Sequence, residues 1–110
     1  MAYTPIVIFI ETHVFTREVK ALLADDEYRM LQTALMLRPD GGDIIRGGGG
    51  LRKVRWNLRG RGKRGALRVI YYWDPPETIY MLLPYKKTDQ DDLSPEQLKF
   101  LRAMVKEWLT

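Results

Sequence analysis

The period with which apolar positions recur changes along this chain, and each change marks an element. Residues 5–11, PIVIFIE, form an unbroken apolar run between Pro5 and Glu11 and predict a buried strand. Phe15, Val19, Leu22 and Leu23 then fall at i, i+4, i+7 and i+8, one stripe of an amphipathic helix that Thr12 or Thr16 can cap. Asp25 and Asp26 suit the cap of a second helix, whose apolar face is Tyr28, Leu31, Ala34 and Leu35. That helix is expected to end before Pro39, because the residue preceding a proline disfavours helical torsions. Residues 39–50 are turn-rich, and from Leu51 the period becomes two. Leu51, Lys53 and Arg55 share one face of a strand, and Arg52, Val54 and Trp56 share the other. Residues 57–65 hold three glycines and four cations and read as an exposed loop. The next strand, 66–73, sets Leu67, Val69 and Tyr71 against Arg68, Ile70 and Tyr72. Asp74-Pro75-Pro76-Glu77 turns the chain into a third consecutive strand, 78–83, which Pro84 is expected to end. After polar residues 85–92 comes Ser94-Pro95-Glu96-Gln97, with a cap serine, proline at the first helical position and glutamine at the third. Leu98, Leu101, Val105 and Trp108 mark the C-terminal helix that follows.

The order is β-α-α-β-β-β-α. It predicts one α+β domain over residues 1–110, a small antiparallel sheet with its helices on one face. The opposite face is then where Lys53, Arg55 and Arg68 converge when the two strands pair.

Charge sharpens this picture. Nine basic residues and no acid lie between Arg46 and Arg68, in a chain whose net charge is only +4, so the rest of the protein is net acidic. All nine glycines fall between Gly41 and Gly65, so backbone freedom and positive charge coincide. A local cationic patch on an acidic body is the footprint of a polyanion-binding surface. There is no cysteine, which excludes disulfides, thiolate metal sites and a cysteine nucleophile. The lone histidine, His13, sits at a strand–helix junction and reads as a surface or cap-region residue. No apolar run approaches the ~20 residues of a membrane helix, and the apolar residues 6–10 lack a preceding basic region. A cytoplasmic protein without metal or cofactor is the expectation.

A face of lysines, arginines and tyrosines is poorly equipped for peptide or glycoside hydrolysis and well suited to a phosphodiester. Guanidinium groups bind phosphate bidentately and stabilise the charge that builds on it during transfer. A lysine crowded by other cations is pushed toward its neutral form, in which it acts as a general base. RNA supplies its own nucleophile, the 2′-hydroxyl, and tyrosine rings stack on unpaired bases. Composition alone leaves nucleic-acid binding without catalysis as the competing reading.

GGLRKVR, GKRGALRVIYYW, the apolar strand into PYKK, and DLSPEQ occur in this order. Together they resemble the RelE/HigB superfamily of bacterial toxins, and most of all its HigB-type branch. The resemblance runs from about Ile44 to Leu101, and the strand and two helices before it are similar too. It implies a RelE-like microbial ribonuclease-type fold. It also implies the toxin of a type II toxin–antitoxin pair: an mRNA endoribonuclease, usually working on the ribosome, held in check by an antitoxin encoded next door. By the same resemblance Lys53 is the candidate base, and Arg55 and Arg68 are phosphate and transition-state clamps. Lys86 is the candidate acid or phosphate contact, with Lys87 an even alternative and Tyr85 beside it. Arg52, Arg61, Lys63 and Arg64 join Tyr85 and Lys87 as RNA contacts. Two features depart from the family: the C-terminal helix carries no tyrosine, and a single histidine cannot reproduce the histidine-bearing grooves of some relatives. A sister group with this fold poisons DNA gyrase without any nuclease, so a gyrase inhibitor is the other alternative.

Overall fold

The computed structural model describes residues 6–57 and 66–109. The elements are β1 (Ile8–Glu11), α1 (His13–Leu22), α2 (Asp25–Leu37), β2 (Asp43–Ile44), β3 (Arg52–Trp56), β4 (Leu67–Asp74), β5 (Thr78–Lys86) and α3 (Pro95–Trp108). The strands form one sheet in the order β1-β5-β4-β3-β2. Neighbours β2 to β5 pair antiparallel, whereas β1 runs parallel to β5, so the sheet is mixed at that edge and not wholly antiparallel as the pattern implied.

Helix boundaries follow local chemistry. Thr12 caps α1, its hydroxyl accepting from the Phe15 N–H at 2.9 Å and donating to the Leu82 carbonyl at 2.8 Å. One buried side chain thereby ties the helix start to the middle of β5. In α2 the cap position is Ala24, and Asp25, Asp26 and Glu27 fill the first turn, where their charge meets the positive end of the helix dipole. Ser94 and Gln97 complete a full capping box at α3, with Pro95 behind the serine.

The sheet is covered on both sides, which corrects the expectation of helices on one face. Leu67, Val69 and Tyr71 of β4 and Ile79 and Met81 of β5 bury themselves against Phe15, Val19, Leu31 and Leu35 of α1 and α2. Ile70 and Leu82 bury themselves on the other side, with Leu101 and Val105 of α3. Strand alternation explains the separation, since odd and even positions of β4 point to opposite faces. An amphipathic stripe shows that one side of a helix is buried; it does not say against which face of the sheet.

A β-bulge decides what the α3 face presents. The β4–β5 ladder slips between Ile70 and Tyr71: Tyr71 pairs with Met81, whereas Ile70 pairs with Leu83, leaving Leu82 as the extra residue. Before the bulge, odd-numbered residues of β5 face α1 and α2; after it, Leu83 and Tyr85 face α3. Pro84 does not end the strand. β5 continues to Lys86, because its β1 partner stops at Met81 and beyond that point one side of β5 is an edge, where a proline forfeits no ladder bond.

Candidate nucleic-acid cleavage site

Two cross-strand rows meet on the α3 face. Arg55 of β3, Arg68 of β4 and Tyr85 of β5 are register partners, and next to them Lys53, Ile70 and Leu83 form a second row. Directly opposed residues on one face have Cβ atoms roughly 5 Å apart, so the two arginines stand side by side although like charges repel. The sequence expectation that Lys53, Arg55 and Arg68 share a face is met by this register.

Arg68 and Tyr85 are each only 6% exposed. Arg68 Nη1 and the Tyr85 hydroxyl are buried without any hydrogen-bond partner among the described residues. Leaving such groups unsatisfied costs about 1–3 kcal/mol each, and adjacent strands holding one apiece point to a ligand that would satisfy both. Burial pushes the Tyr85 phenol up from its ordinary value; Asp92 adds to the rise and Arg68 opposes it. Tyr85 is therefore a neutral hydrogen-bond donor throughout the physiological range.

Asp92 is the residue that sequence reasoning passed over. Its Oδ1 lies 3.4 Å from Lys53 Nζ and accepts from the Leu93 N–H at 3.0 Å. The Lys53 side chain is 19% exposed and that of Asp92 is 70% exposed, so the pair sits at the solvent boundary of the site. The loop carrying Asp92 is tied to the α3 cap. Gln90 Nε2 donates to the Asp92 carbonyl and to Gln97 Oε1, both at 2.9 Å, and the same Gln97 oxygen accepts from the Ser94 N–H. The capping box thus positions a carboxylate as well as starting a helix. Nothing in the polar stretch DQDD singles out its last residue; only the packing of α3 over the sheet does.

The other candidates divide. Arg52 pairs with Tyr71 and belongs to the opposite face, where its Nη1 donates to the Gly42 carbonyl at 2.9 Å and the Asp40 carbonyl at 3.1 Å. Together with Tyr71, whose hydroxyl donates to the Pro39 carbonyl and accepts from the Gly42 N–H, it fastens the chain between α2 and β3. Lys86 pairs with Leu67, a residue of the α1–α2 core, and so falls on the face away from Arg68. Lys87, one step beyond β5, is exposed, and its N–H donates to the Ala66 carbonyl at 3.2 Å, which anchors it beside the start of β4. Arg61, Lys63 and Arg64 lie outside the described residues. His13 opens α1 and is exposed, as expected. No group of three or more histidine, cysteine or carboxylate side chains suited to a metal occurs among the described residues. None of their helices is long and apolar enough to cross a membrane.

A mixed sheet that presents a row of cations beside a buried, unpartnered tyrosine defines a small basic α+β protein built to meet an anion. The family model of the RelE toxin of the RelE/RelB toxin–antitoxin system matches residues 8–110. The chain belongs to that family. Among solved structures it is similar to an arginine-to-alanine double mutant of the toxin RelE of E. coli in the free state. That likeness has a TM-score of 0.55 at 14% identity, over 78% of this chain and 88% of the other. At such identity it speaks for the fold alone.

Proposed function

We propose that this protein is the toxin of a type II toxin–antitoxin system and acts as an mRNA endoribonuclease, using the RNA 2′-hydroxyl as nucleophile. The observation that carries this reading is the convergence of Lys53, Arg55 and Arg68 with Tyr85, two of them bearing buried polar atoms without partners. A phosphodiester fits that arrangement. Arg55 and Arg68 hold its non-bridging oxygens, as paired guanidiniums do, and Tyr85 donates a further hydrogen bond. Lys53 takes the proton from the 2′-hydroxyl, with Asp92 beside it to receive or steady that charge. The 2′-oxygen then bonds to phosphorus, the bond from phosphorus to the 5′-oxygen breaks, and the leaving oxygen gains a proton. The strand register supports Lys87 over Lys86 as the group near that oxygen, because Lys86 falls on the opposite face. No metal takes part in this scheme, so cleavage is expected to persist in a chelator.

Family membership supports a cognate RelB-type antitoxin as partner, and the ribosome is the setting in which we expect the mRNA to be cut. The protein is expected to work in the cytoplasm as one subunit of a heteromeric complex, without obligate self-association. The test is primer extension on an mRNA with purified protein, with and without ribosomes, comparing wild type with Lys53→Ala and Arg68→Ala. Discrete stops that vanish in both variants support the nuclease. Uncut mRNA together with DNA damage, and toxicity unchanged in both variants, would transfer the protein to the gyrase-inhibiting alternative.

A further inference from the structure

A second cationic feature lies on the same side of the sheet, away from the strand site. Lys99, Arg102 and Lys106 occupy i, i+3 and i+7 of α3, a single exposed stripe about 10 Å long at 1.5 Å per residue. With Gly48, Gly49 and Tyr72 they line a cavity of about 480 Å³ that no acidic side chain borders. None of the three cations has an ion pair among the described residues. Spacings of three and four residues set like charges against one another and cost the helix stability, a cost that a bound anion relieves.

The glycine turn makes the other wall. Gly49 and Gly50 have φ of +64° and +102°. A Cβ at Gly49 would come within 3.2 Å of Arg102 Nε, and one at Gly50 within 2.8 Å of the Tyr72 ring. Glycine is therefore required for the turn to lie this close to the helix, and it leaves backbone exposed beside a guanidinium, where a tetrahedral anion can reach both. A stripe spread over two helical turns suits a linear polyanion better than a single small ion. Tyr72 and Arg68 point to the same face of β4 four residues apart, so roughly 13 Å separates this cavity from the strand site.

We propose that the cavity between the Gly47–Gly50 turn and α3 binds a backbone phosphate of RNA remote from the one that is cut. This rests on the proposed function and adds a second contact to it. The phosphate belongs either to the cleaved mRNA or to ribosomal RNA. The test uses the full-length variant Lys99→Gln/Arg102→Gln/Lys106→Gln, in which every substituted side chain is exposed and the removed repulsion keeps the helix at least as stable. Binding is measured across a salt series for a dinucleotide, a long unstructured RNA and mRNA-free ribosomes. The triple variant should bind the dinucleotide like wild type. Its binding to the long RNA should weaken, with a salt slope shallower by about 2, at ~0.7 per phosphate contact for single strands. The same loss confined to ribosomes would support the site and assign the phosphate to ribosomal RNA. Unchanged affinity and slope for both would overturn the proposal and leave the strand site standing. So would a loss seen only toward an acidic protein partner, which would make the surface a protein interface. If wild type binds none of the three, the strand-site reading fails and this inference falls with it.

Discussion

Replacing Arg68 by methionine should make the protein more stable and inactive at once. The guanidinium is 6% exposed, its Nη1 has no partner, and Arg55 is its direct cross-strand neighbour. An unsatisfied buried donor costs about 1–3 kcal/mol, and like charges directly opposed across a strand pair cost roughly a further 0.2–1 kcal/mol. Methionine keeps an unbranched stem of similar length, so most of the packing with Ile70 and Tyr85 survives. The net expectation is a gain of about 1–2 kcal/mol, or a melting temperature higher by roughly 4–10 °C for a chain of this size. Cleavage should fall by about 10²–10³, the usual loss when one preorganised charge-stabilising group is removed. Urea unfolding with an unchanged denaturant slope measures the first quantity, and a single-turnover cleavage assay measures the second. Most substitutions at buried sites destabilise, so the sign is a demanding test. A variant less stable than wild type would show that Arg68 is satisfied in solution and not held ready for a ligand.

Further outcomes follow from the same structure. Thr12→Val removes the α1 cap and the bond to Leu82 at the bulge; it should cost about 1–3 kcal/mol and lower cleavage, while Thr12→Ser retains both. Equal stability of valine and serine variants would show that the hydroxyl is not what holds this junction. Three tyrosines have phenols raised above their ordinary value: Tyr28 by burial and the Glu11 carboxylate, Tyr71 by burial against the opposing Gly42 N–H and Arg52, and Tyr85 by burial and Asp92. Below pH ~10 both folded and unfolded states keep these protons and stability is complete. Above it the unfolded chain ionises first, so stability should fall by about 1.4 kcal/mol per pH unit for each tyrosine. Urea midpoints that stay flat across that range would contradict the burial of these phenols.

The strands that build the site were legible because their alternation is clean. LRKVRW and ALRVIYYW each place cations and apolar residues on opposite faces, and the register pairs them as their pattern implies. β5 was less legible: YMLLPYK is apolar at nearly every position, so nothing in it marks Leu82 as the bulge residue that turns Tyr85 toward Arg68. Whether the cation after the last strand is Lys86 or Lys87 depends on that same slip. Arg52 carries the same charge as its neighbours, and only the sheet's orientation assigns it to the loop carbonyls of residues 40 and 42. Asp92 was hidden for a different reason. It reaches Lys53 across 39 residues of sequence through the placement of α3, a tertiary relation that no local pattern encodes.

The most direct measurement of the nuclease assignment is the chemistry of the ends left on a cut mRNA. Attack by the 2′-hydroxyl leaves a 2′,3′-cyclic phosphate, or the 3′-phosphate it opens to, on the upstream fragment and a free 5′-hydroxyl downstream. A 2′-deoxy substitution at the cleaved nucleotide should abolish the cut while leaving binding intact. Fragments ending in 5′-phosphate, or cleavage that survives the 2′-deoxy substitution, would contradict the mechanism assigned to Lys53, Arg55, Arg68 and Tyr85.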